Sequence, residues 1–171
     1  MPAFFYRLSA RAQRCYLRSD SIDRFDFAPT PSAVALTADL AKALEAADTG
    51  VVESAARTLS AELCRIAGVK LVRIDVMGVR PHNARGELHG IFYLTPPQRI
   101  VLWMRTAKRH HVVKPRTFIR TLFHEFAHYL DYSLLRLDDS YHTRGFFKRE
   151  SFLVRMTVQV GSVGDLAGSH D

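Results

Sequence analysis

The chain has 171 residues, of which 47% are apolar and 24% are charged, a balance that excludes intrinsic disorder over most of its length. Its two cysteines, Cys15 and Cys64, exclude a disulfide framework and an all-cysteine zinc site, and they predict reduced thiols in a cytoplasmic protein. The net charge of +7 favours anionic partners such as nucleic acid. Because the sequence has no long apolar run, we expect neither a membrane span nor a secretory signal.

The first part of the chain predicts a basic arm followed by two helices. Residues 1–31 are basic, then polar and rich in turn-forming residues, and we interpret them as an N-terminal arm. Ser32 can cap a first helix over residues 33–47, where apolar side chains recur at helical spacing. A second helix over residues 51–67 is expected to end at Gly68.

The middle of the chain predicts three strands. Residues 70–76 alternate between apolar and polar side chains, as in a strand with one buried face. Residues 89–94 and 99–104 flank a proline-containing turn and therefore predict a hairpin. Residues 100–104 are apolar on both faces, so we expect this strand to be covered on both sides.

The last part of the chain predicts two further helices. Pro115 suits the start of a helix, and an apolar stripe of helical period predicts that this helix covers residues 115–134. A polar link leads to a final helix over residues 144–160 and a glycine-rich tail over residues 161–171. The order of helices, strands and helices predicts an α+β domain over residues 32–160.

The motif that carries chemistry is an HExxH sequence that begins at His124 and ends at His128. Positions i and i+4 lie one above the other on a helix, so both imidazoles can reach one metal ion. Glu125 is rotated about 100° from His124 and can approach a water molecule on the metal from the side. The motif therefore predicts one catalytic Zn²⁺ ion, with Glu125 as the general base.

The sequence HEFAHYLD, followed by YHTRGFFKRES, resembles the zincin metallopeptidases and, within them, the SprT-like group. Members of that group carry HExxH on one helix and a later histidine, just before an aromatic residue, at the start of the next helix. The resemblance covers about residues 98–156 and implies a zincin-like domain that hydrolyses peptide bonds. The chain has no further cysteine cluster, so the zinc ribbon that some relatives append is not expected.

The third zinc ligand has three candidates, because a catalytic zinc takes three protein ligands and keeps one position for water. His142, which matches the later histidine of the SprT-like group, is the first choice. Glu150 is an alternative, since some sites place a carboxylate ligand on the following helix. Asp131 lies three residues beyond His128 and could be a ligand, although we favour a role as the acceptor that orients a liganding histidine.

These residues predict a zinc-dependent metallopeptidase in which Glu125 accepts a proton from water and passes it to the leaving amine. The resemblance and the order of elements imply that the strand at residues 99–104 offers its edge to an extended peptide or protein substrate. One alternative is a non-catalytic zinc-binding regulatory module associated with nucleic acid, although such a module needs no base beside the metal. A metallohydrolase that acts on another kind of bond is a second alternative.

A basic stretch precedes the HExxH motif, because no acidic residue occurs between Leu88 and His124. SprT-like relatives are linked to DNA-bound proteins, so the resemblance and the charge both favour weak, sequence-independent contacts to phosphates. The alternative is a solvated basic loop that binds no partner. The cations of this stretch are Arg99, Arg105, Lys108, Arg109, Lys114, Arg116 and Arg120.

Overall fold

Five α-helices and a three-stranded sheet form one α+β domain in the computed structural model, which describes residues 1–84 and 86–157. The predicted fold class is therefore confirmed. None of the described helices combines the length and the apolar character needed to cross a membrane. The helices are α1 (Ala10–Ser21), α2 (Pro31–Glu45), α3 (Thr49–Ala67), α4 (Pro115–Ser133) and α5 (Arg144–Thr157). The strands are β1 (Arg73–Val79), β2 (His82–Asn83), β3 (Gly86–Glu87), β4 (Gly90–Tyr93) and β5 (Arg99–Arg105).

Helices α2 and α3 both begin two residues earlier than their sequence patterns predict. The N-cap of α2 is Thr30 rather than Ser32, and its side chain accepts a hydrogen bond of 3.1 Å from the backbone N–H of Ala33. Asp48 caps α3 in the same way. Gly68 ends α3 as predicted, in the left-handed conformation with φ 65°, which a residue without a Cβ adopts at little cost.

The central sheet has the strand order β1-β5-β4, with β5 parallel to β1 and antiparallel to β4. The antiparallel pairing confirms the predicted hairpin. Both faces of β5 contribute to the interior, because Ile100 and Leu102 are fully buried on one face and Val101 is buried on the other. A second hairpin formed by β2 and β3 was not predicted, because its two-residue strands are exposed and show no apolar alternation.

The sheet topology corrects the expectation that the strand at residues 99–104 offers its edge to substrate. Strand β5 is paired on both sides, so its backbone groups are already hydrogen-bonded within the sheet. The edge strand that follows β5 in the sheet is β4, which contacts α4. An extended peptide can therefore add to β4 but not to β5.

Helices α4 and α5 start at the residues that the sequence predicts. Pro115 occupies the first turn of α4, and the apolar stripe of this helix packs on the sheet and on α2 and α5. Helix α5 begins at Arg144 and is described to Thr157. The predicted end of this helix at residue 160 and the predicted tail over residues 161–171 lie outside the described residues.

The N-terminal residues contain a helix that the sequence analysis did not predict. Cys15, Tyr16 and Ser19 form the buried face of α1, which packs against α5. This face is short and two of its members are polar or small, so the helix lacks a strong apolar stripe. The predicted boundary between the arm and the domain, at residue 32, stays a prediction.

Candidate metal centre

Three histidine side chains converge at the surface of the domain. His124 and His128 lie one turn apart on α4, and their Nε2 atoms are 3.3 Å apart. His142 lies in the link between α4 and α5, and its Nε2 atom is 3.0 Å from that of His128 and 3.1 Å from that of His124. The three nitrogen atoms form a nearly equilateral triangle, so these histidines lie close enough to bind one metal ion.

The size of this triangle fits a tetrahedral metal ion. Zinc binds imidazole nitrogen at about 2.0–2.1 Å, which in a tetrahedron places two ligand nitrogens about 3.3–3.4 Å apart. The observed separations of 3.0–3.3 Å are close to that value. A shared cation would satisfy three nitrogen lone pairs at once, whereas hydrogen bonds between imidazoles could satisfy them only in pairs.

Hydrogen bonds on the opposite ring nitrogens set the tautomers of two of the histidines. The Nδ1 atom of His124 donates to the Oε2 atom of Glu150 at 3.1 Å. The Ser140 hydroxyl donates to Oδ2 of Asp131 at 2.8 Å, so it accepts from Nδ1 of His128 at 2.7 Å. Because Nδ1 carries the proton in both rings, both Nε2 lone pairs face the triangle, where a cation stabilises them.

The two acidic candidates for the third ligand therefore lie behind the histidines rather than inside the triangle. Glu150 contacts His124 on the side away from the other imidazoles. Asp131 was expected to accept a hydrogen bond directly from a liganding histidine, but the hydroxyl of Ser140 lies between Asp131 and His128. The third side chain that the structure brings to the triangle is His142.

A buried ion pair extends this hydrogen-bond chain to the N-terminal helix. Arg149 and Asp131 are both 0% exposed, and two N–H groups of the guanidinium bind the two carboxylate oxygens at 3.0 Å each. Arg149 also donates to the backbone oxygens of Ser19 at 2.7 Å and Ile22 at 2.6 Å. The end of α1 is thus connected to His128 through Arg149, Asp131 and the Ser140 hydroxyl.

The surroundings of the histidines favour their neutral forms. Burial, together with the neighbouring imidazoles of His124 and His142, lowers the pKa of His128 to about 3. Burial and His124 also lower the pKa of His142. Neutral imidazole is the form that binds a metal ion, so His128 and His142 can coordinate at neutral pH without first losing a proton.

Glu125 lies beside the triangle and faces strand β4. Its side chain is buried, and burial raises the pKa of its carboxyl group above the ordinary value. The backbone of Phe92 in β4 and the neighbouring His124 favour the charged form and partly oppose this rise in pKa. A carboxylate with a raised pKa is a stronger base than a free one, which suits it to accept a proton from water.

A groove follows β4 past the histidines and contains two cavities, of about 500 Å³ and about 400 Å³. Both cavities are bordered by Gly90, His124 and Glu125. The larger cavity is further lined by polar and cationic side chains, namely His89, Arg116, Thr117, Arg120 and Thr121. The smaller cavity is further lined by side chains that include Phe92, Leu94 and Tyr132.

Strand β4 can present backbone groups to this groove. In an antiparallel pair, alternate residues direct their N–H and C=O groups toward the partner strand and away from it. His89 accepts a hydrogen bond of 3.2 Å from Trp103 in β5, so Gly90 and Phe92 have the opposite orientation. The hydrogen bond from Phe92 to Glu125 agrees with that orientation.

Gly90 allows β4 to lie directly against α4, so replacing it with alanine is expected to disturb the site. An added Cβ would lie 2.7 Å from Cγ2 of Thr121 and 2.9 Å from Cγ of Glu125, both too close for carbon atoms. We expect Gly90→Ala to lower the free energy of unfolding by about 1–3 kcal/mol, as overpacking does, because the new Cβ forces Thr121 and Glu125 to move.

The matched control is Gly78→Ala in β1, where an added Cβ meets no atom within 4 Å. Urea unfolding of both variants provides the measurement. Equal behaviour of the two variants would show that the contact between β4 and Glu125 is not constrained by Gly90.

The basic stretch before α4 does not form a single patch. Arg99 and Arg105 lie at opposite ends of β5, about 20 Å apart for a strand of this length. The guanidinium of Arg99 lies 4.8 Å from the centre of the Tyr93 ring. Arg105 donates hydrogen bonds to backbone oxygens of the chain. Both arginine side chains are therefore engaged in contacts within the protein.

The remaining cations of the stretch lie in two places. Lys108, Arg109 and Lys114 are exposed in the loop between β5 and α4. Arg116 and Arg120 lie in the first turns of α4 and line the larger cavity of the groove. The structure thus separates an exposed loop cluster from a pair of arginines beside the histidines.

Several residues of the site could not be identified from the sequence. Ser140 is a serine in a polar link, and Arg149 is one of several basic residues in α5. No local sequence pattern distinguishes either of them from its neighbours. His89 also lines the larger cavity. Tyr141, which precedes His142, packs against Tyr16 with 5.6 Å between ring centres.

The three-histidine site is the main structural evidence for the function of this chain. No protein-family model, curated protein or solved structure matches the chain.

Proposed function

We propose that this protein is a zinc-dependent metallopeptidase of the zincin type, similar to the SprT-like group. The observation that carries the proposal is the convergence of three imidazole Nε2 atoms, 3.0–3.3 Å apart, beside the buried carboxylate of Glu125. A purely structural zinc site needs no such base and usually fills its fourth position with a residue. The open edge of β4 beside Glu125 further supports a site that receives an extended chain.

The ligands in this proposal are His124, His128 and His142. Zinc held by them would act as a Lewis acid that activates water and polarises the scissile carbonyl. Glu125 accepts the proton of the water and then delivers it to the nitrogen of the leaving amine. The carboxylate of Glu125 lies in the groove beside both Gly90 and His124, where it can make these transfers.

Substrate binding would use the backbone of β4. An extended peptide can add to this edge as a further strand, with main-chain hydrogen bonds that are independent of its sequence. Side chains on either side of the scissile bond would then enter the two cavities of the groove. The proposed substrates are proteins or peptides with an extended segment.

Metal analysis and peptide hydrolysis test the proposal. We expect one zinc ion per chain, hydrolysis of a broad peptide library, loss of activity with a chelator and its return with zinc. His128→Ala and His142→Ala are expected to lose both metal and activity, because two ligands hold zinc weakly. Glu150→Ala is expected to keep zinc with an affinity reduced about 10–100-fold, because it only orients His124.

Two outcomes would change the assignment. Stoichiometric zinc without cleavage of any peptide would favour the non-catalytic, nucleic-acid-associated module. Loss of zinc in Glu150→Ala, together with its retention in His142→Ala, would move the third ligand from the histidine to the carboxylate.

The proposal includes a cytoplasmic location and weak binding to nucleic acid. Both Cys15 and Cys64 are buried free thiols, which supports a reducing compartment. The exposed cations Lys108 and Arg109 are the contacts that the structure best supports, since they lie in a loop and extend into solvent.

We expect binding to a random DNA duplex or single strand at low salt that weakens steeply as salt increases, because phosphate contacts release counterions. The double variant K108E/R109E is expected to abolish this binding at low salt. Affinity measured by fluorescence anisotropy at two salt concentrations tests the expectation. Unchanged binding of the double variant would exclude this loop as a contact for nucleic acid.

A further inference from the structure

We infer that a cavity between α1 and the link from α4 to α5 binds the phosphate group of a small anion, either inorganic phosphate or a phosphate monoester. The cavity has a volume of about 320 Å³. None of the three histidines of the metal centre borders it, so this site goes beyond the proposed peptidase function. The charged side chains that line it are Arg11, Arg14, Arg18, Arg136 and Asp138.

Three of the arginines lie on one face of α1. Arg11, Arg14 and Arg18 are separated by three and four positions, a spacing that aligns side chains on a helix. Arg136 lines the same cavity from the link, two residues after the C-cap of α4. The fold, and not a local run of sequence, therefore brings four guanidinium groups to one cavity.

The carboxylate of Asp138 balances one of these arginines. Nε and Nη2 of Arg11 donate to its two oxygens at 2.8 Å each, in a bidentate arrangement. The hydrogen bonds from Arg11 and the nearby charges of Arg11 and Arg18 lower the pKa of Asp138 below its ordinary value. The pair of Arg11 and Asp138 is therefore ionised at neutral pH and contributes no net charge to the cavity.

Three guanidinium groups remain without a carboxylate partner. Arg18 donates to the backbone oxygens of Leu135 at 2.7 Å and Arg136 at 3.4 Å, which hold it in place but carry no opposite charge. Within the part of the chain that the structure describes, the guanidinium groups of Arg14 and Arg136 form no hydrogen bond or ion pair. All three side chains are exposed, so an anion can reach them. Four guanidinium groups against one carboxylate give the lining a net charge of +3.

A terminal phosphate matches this lining better than other common anions. Guanidinium groups bind phosphate oxygens through pairs of parallel N–H donors. A phosphate monoester carries nearly two negative charges at neutral pH, whereas a carboxylate or a phosphate of a nucleic-acid backbone carries one. The described lining includes no aromatic side chain on which a nucleobase could stack. The observations therefore favour a small phosphorylated ligand over a nucleic-acid strand.

Calorimetric titration of the whole chain with inorganic phosphate and with methyl phosphate tests the inference, at constant ionic strength in chloride. We expect one binding site per chain. R14Q is expected to weaken the affinity about tenfold or more, the loss associated with one hydrogen bond to a charged group. This variant should fold, because glutamine and arginine have similar helix propensities.

R136G is expected to weaken phosphate binding to a similar extent. Arg136 has a φ of 54°, in the left-handed region that glycine adopts at little cost, so the substitution removes the cation without straining the backbone. The matched control is R24Q, which removes an exposed cation that lies after α1 and outside the cavity. R24Q is expected to bind phosphate as the wild type does.

The two probes and a third anion identify the ligand. Equal affinities for the two probes would indicate a monoester as the ligand, and tighter binding of inorganic phosphate would indicate the free ion. A short oligonucleotide without a terminal phosphate contains only diesters. If it bound in an R14Q-sensitive manner while methyl phosphate did not bind, the cavity would be a nucleic-acid contact and the inference would be wrong.

Absence of binding by both phosphate probes would also overturn the inference. The same holds if R14Q and R136G bind phosphate as tightly as the wild type, since phosphate held by a metal ion at the histidines would behave in that way. None of these measurements uses peptide hydrolysis, so failure of the phosphate site and failure of the peptidase proposal are distinguishable.

Discussion

Glu125→Gln is expected to retain one zinc ion per chain and to lose peptide hydrolysis by about 10²–10⁴-fold, the range associated with loss of a general base. Glutamine has nearly the same shape as glutamate and can still occupy the space against Phe92 and Gly90. It cannot accept a proton from water, so the chemical step fails while the three imidazoles are unchanged. Metal content and kcat/KM on one peptide substrate give the result.

Glu62→Gln is the matched control, because it makes the same chemical change in α3 at a carboxylate that pairs with Arg65. Its metal content and turnover are expected to equal those of the wild type. If Glu125→Gln hydrolysed peptides at the wild-type rate, Glu125 could not be the base. If it lost zinc as well, its role would be structural rather than catalytic.

Arg149→Met is expected to lower the free energy of unfolding by about 3–5 kcal/mol, because it leaves the carboxylate of Asp131 buried without its cation. Both side chains are fully buried, so water cannot replace the lost contacts. The backbone oxygens of Ser19 and Ile22 would lose their donor in the same variant. Urea unfolding of the metal-free protein measures the effect without a contribution from zinc.

Arg11→Met is the appropriate comparison for this variant. Arg11 forms an ion pair of 2.8 Å with Asp138, but both side chains are largely exposed, at 75% and 52%. Water can solvate both groups after the substitution, so the stability of Arg11→Met is expected to stay close to that of the wild type. A loss of stability in Arg149→Met no larger than in Arg11→Met would show that the buried pair does not hold α1 and α4 together.

The parts of the fold that the sequence predicted are those with local signals. The helix that carries HExxH was predicted because its apolar period, its proline and its two histidines all lie within one segment of 19 residues. Helix α1 was missed because its burial depends on Arg149, which contacts Ser19 across 130 positions of the chain. The edge strand was misassigned for a similar reason, since pairing partners are not encoded within a strand.

The residues of the site likewise divide into those that a local sequence pattern predicts and those that it does not. The spacing of His124 and His128 predicts two candidate ligands by helix geometry alone, and the resemblance to the SprT-like group pointed to His142. The hydroxyl of Ser140 and the cation of Arg149 could not be found in this way, because neither lies in the histidine triangle: Ser140 contacts His128 from behind, and Arg149 is connected to it through Asp131 and Ser140. The arginines that line the larger cavity were read as part of a uniform basic stretch until the fold separated them.

The contact between Arg149 and the end of α1 has a consequence for the order in which the protein matures during synthesis. The ribosome produces α1 before Arg149. The guanidinium that donates hydrogen bonds to the carbonyl oxygens at the end of α1 is made only after 127 or more further residues. His142 is also produced late, so a nascent chain that ends before the link between α4 and α5 has neither the third imidazole nor the anchor for α1. Completion of the three-histidine site and anchoring of α1 therefore both depend on residues 142–149.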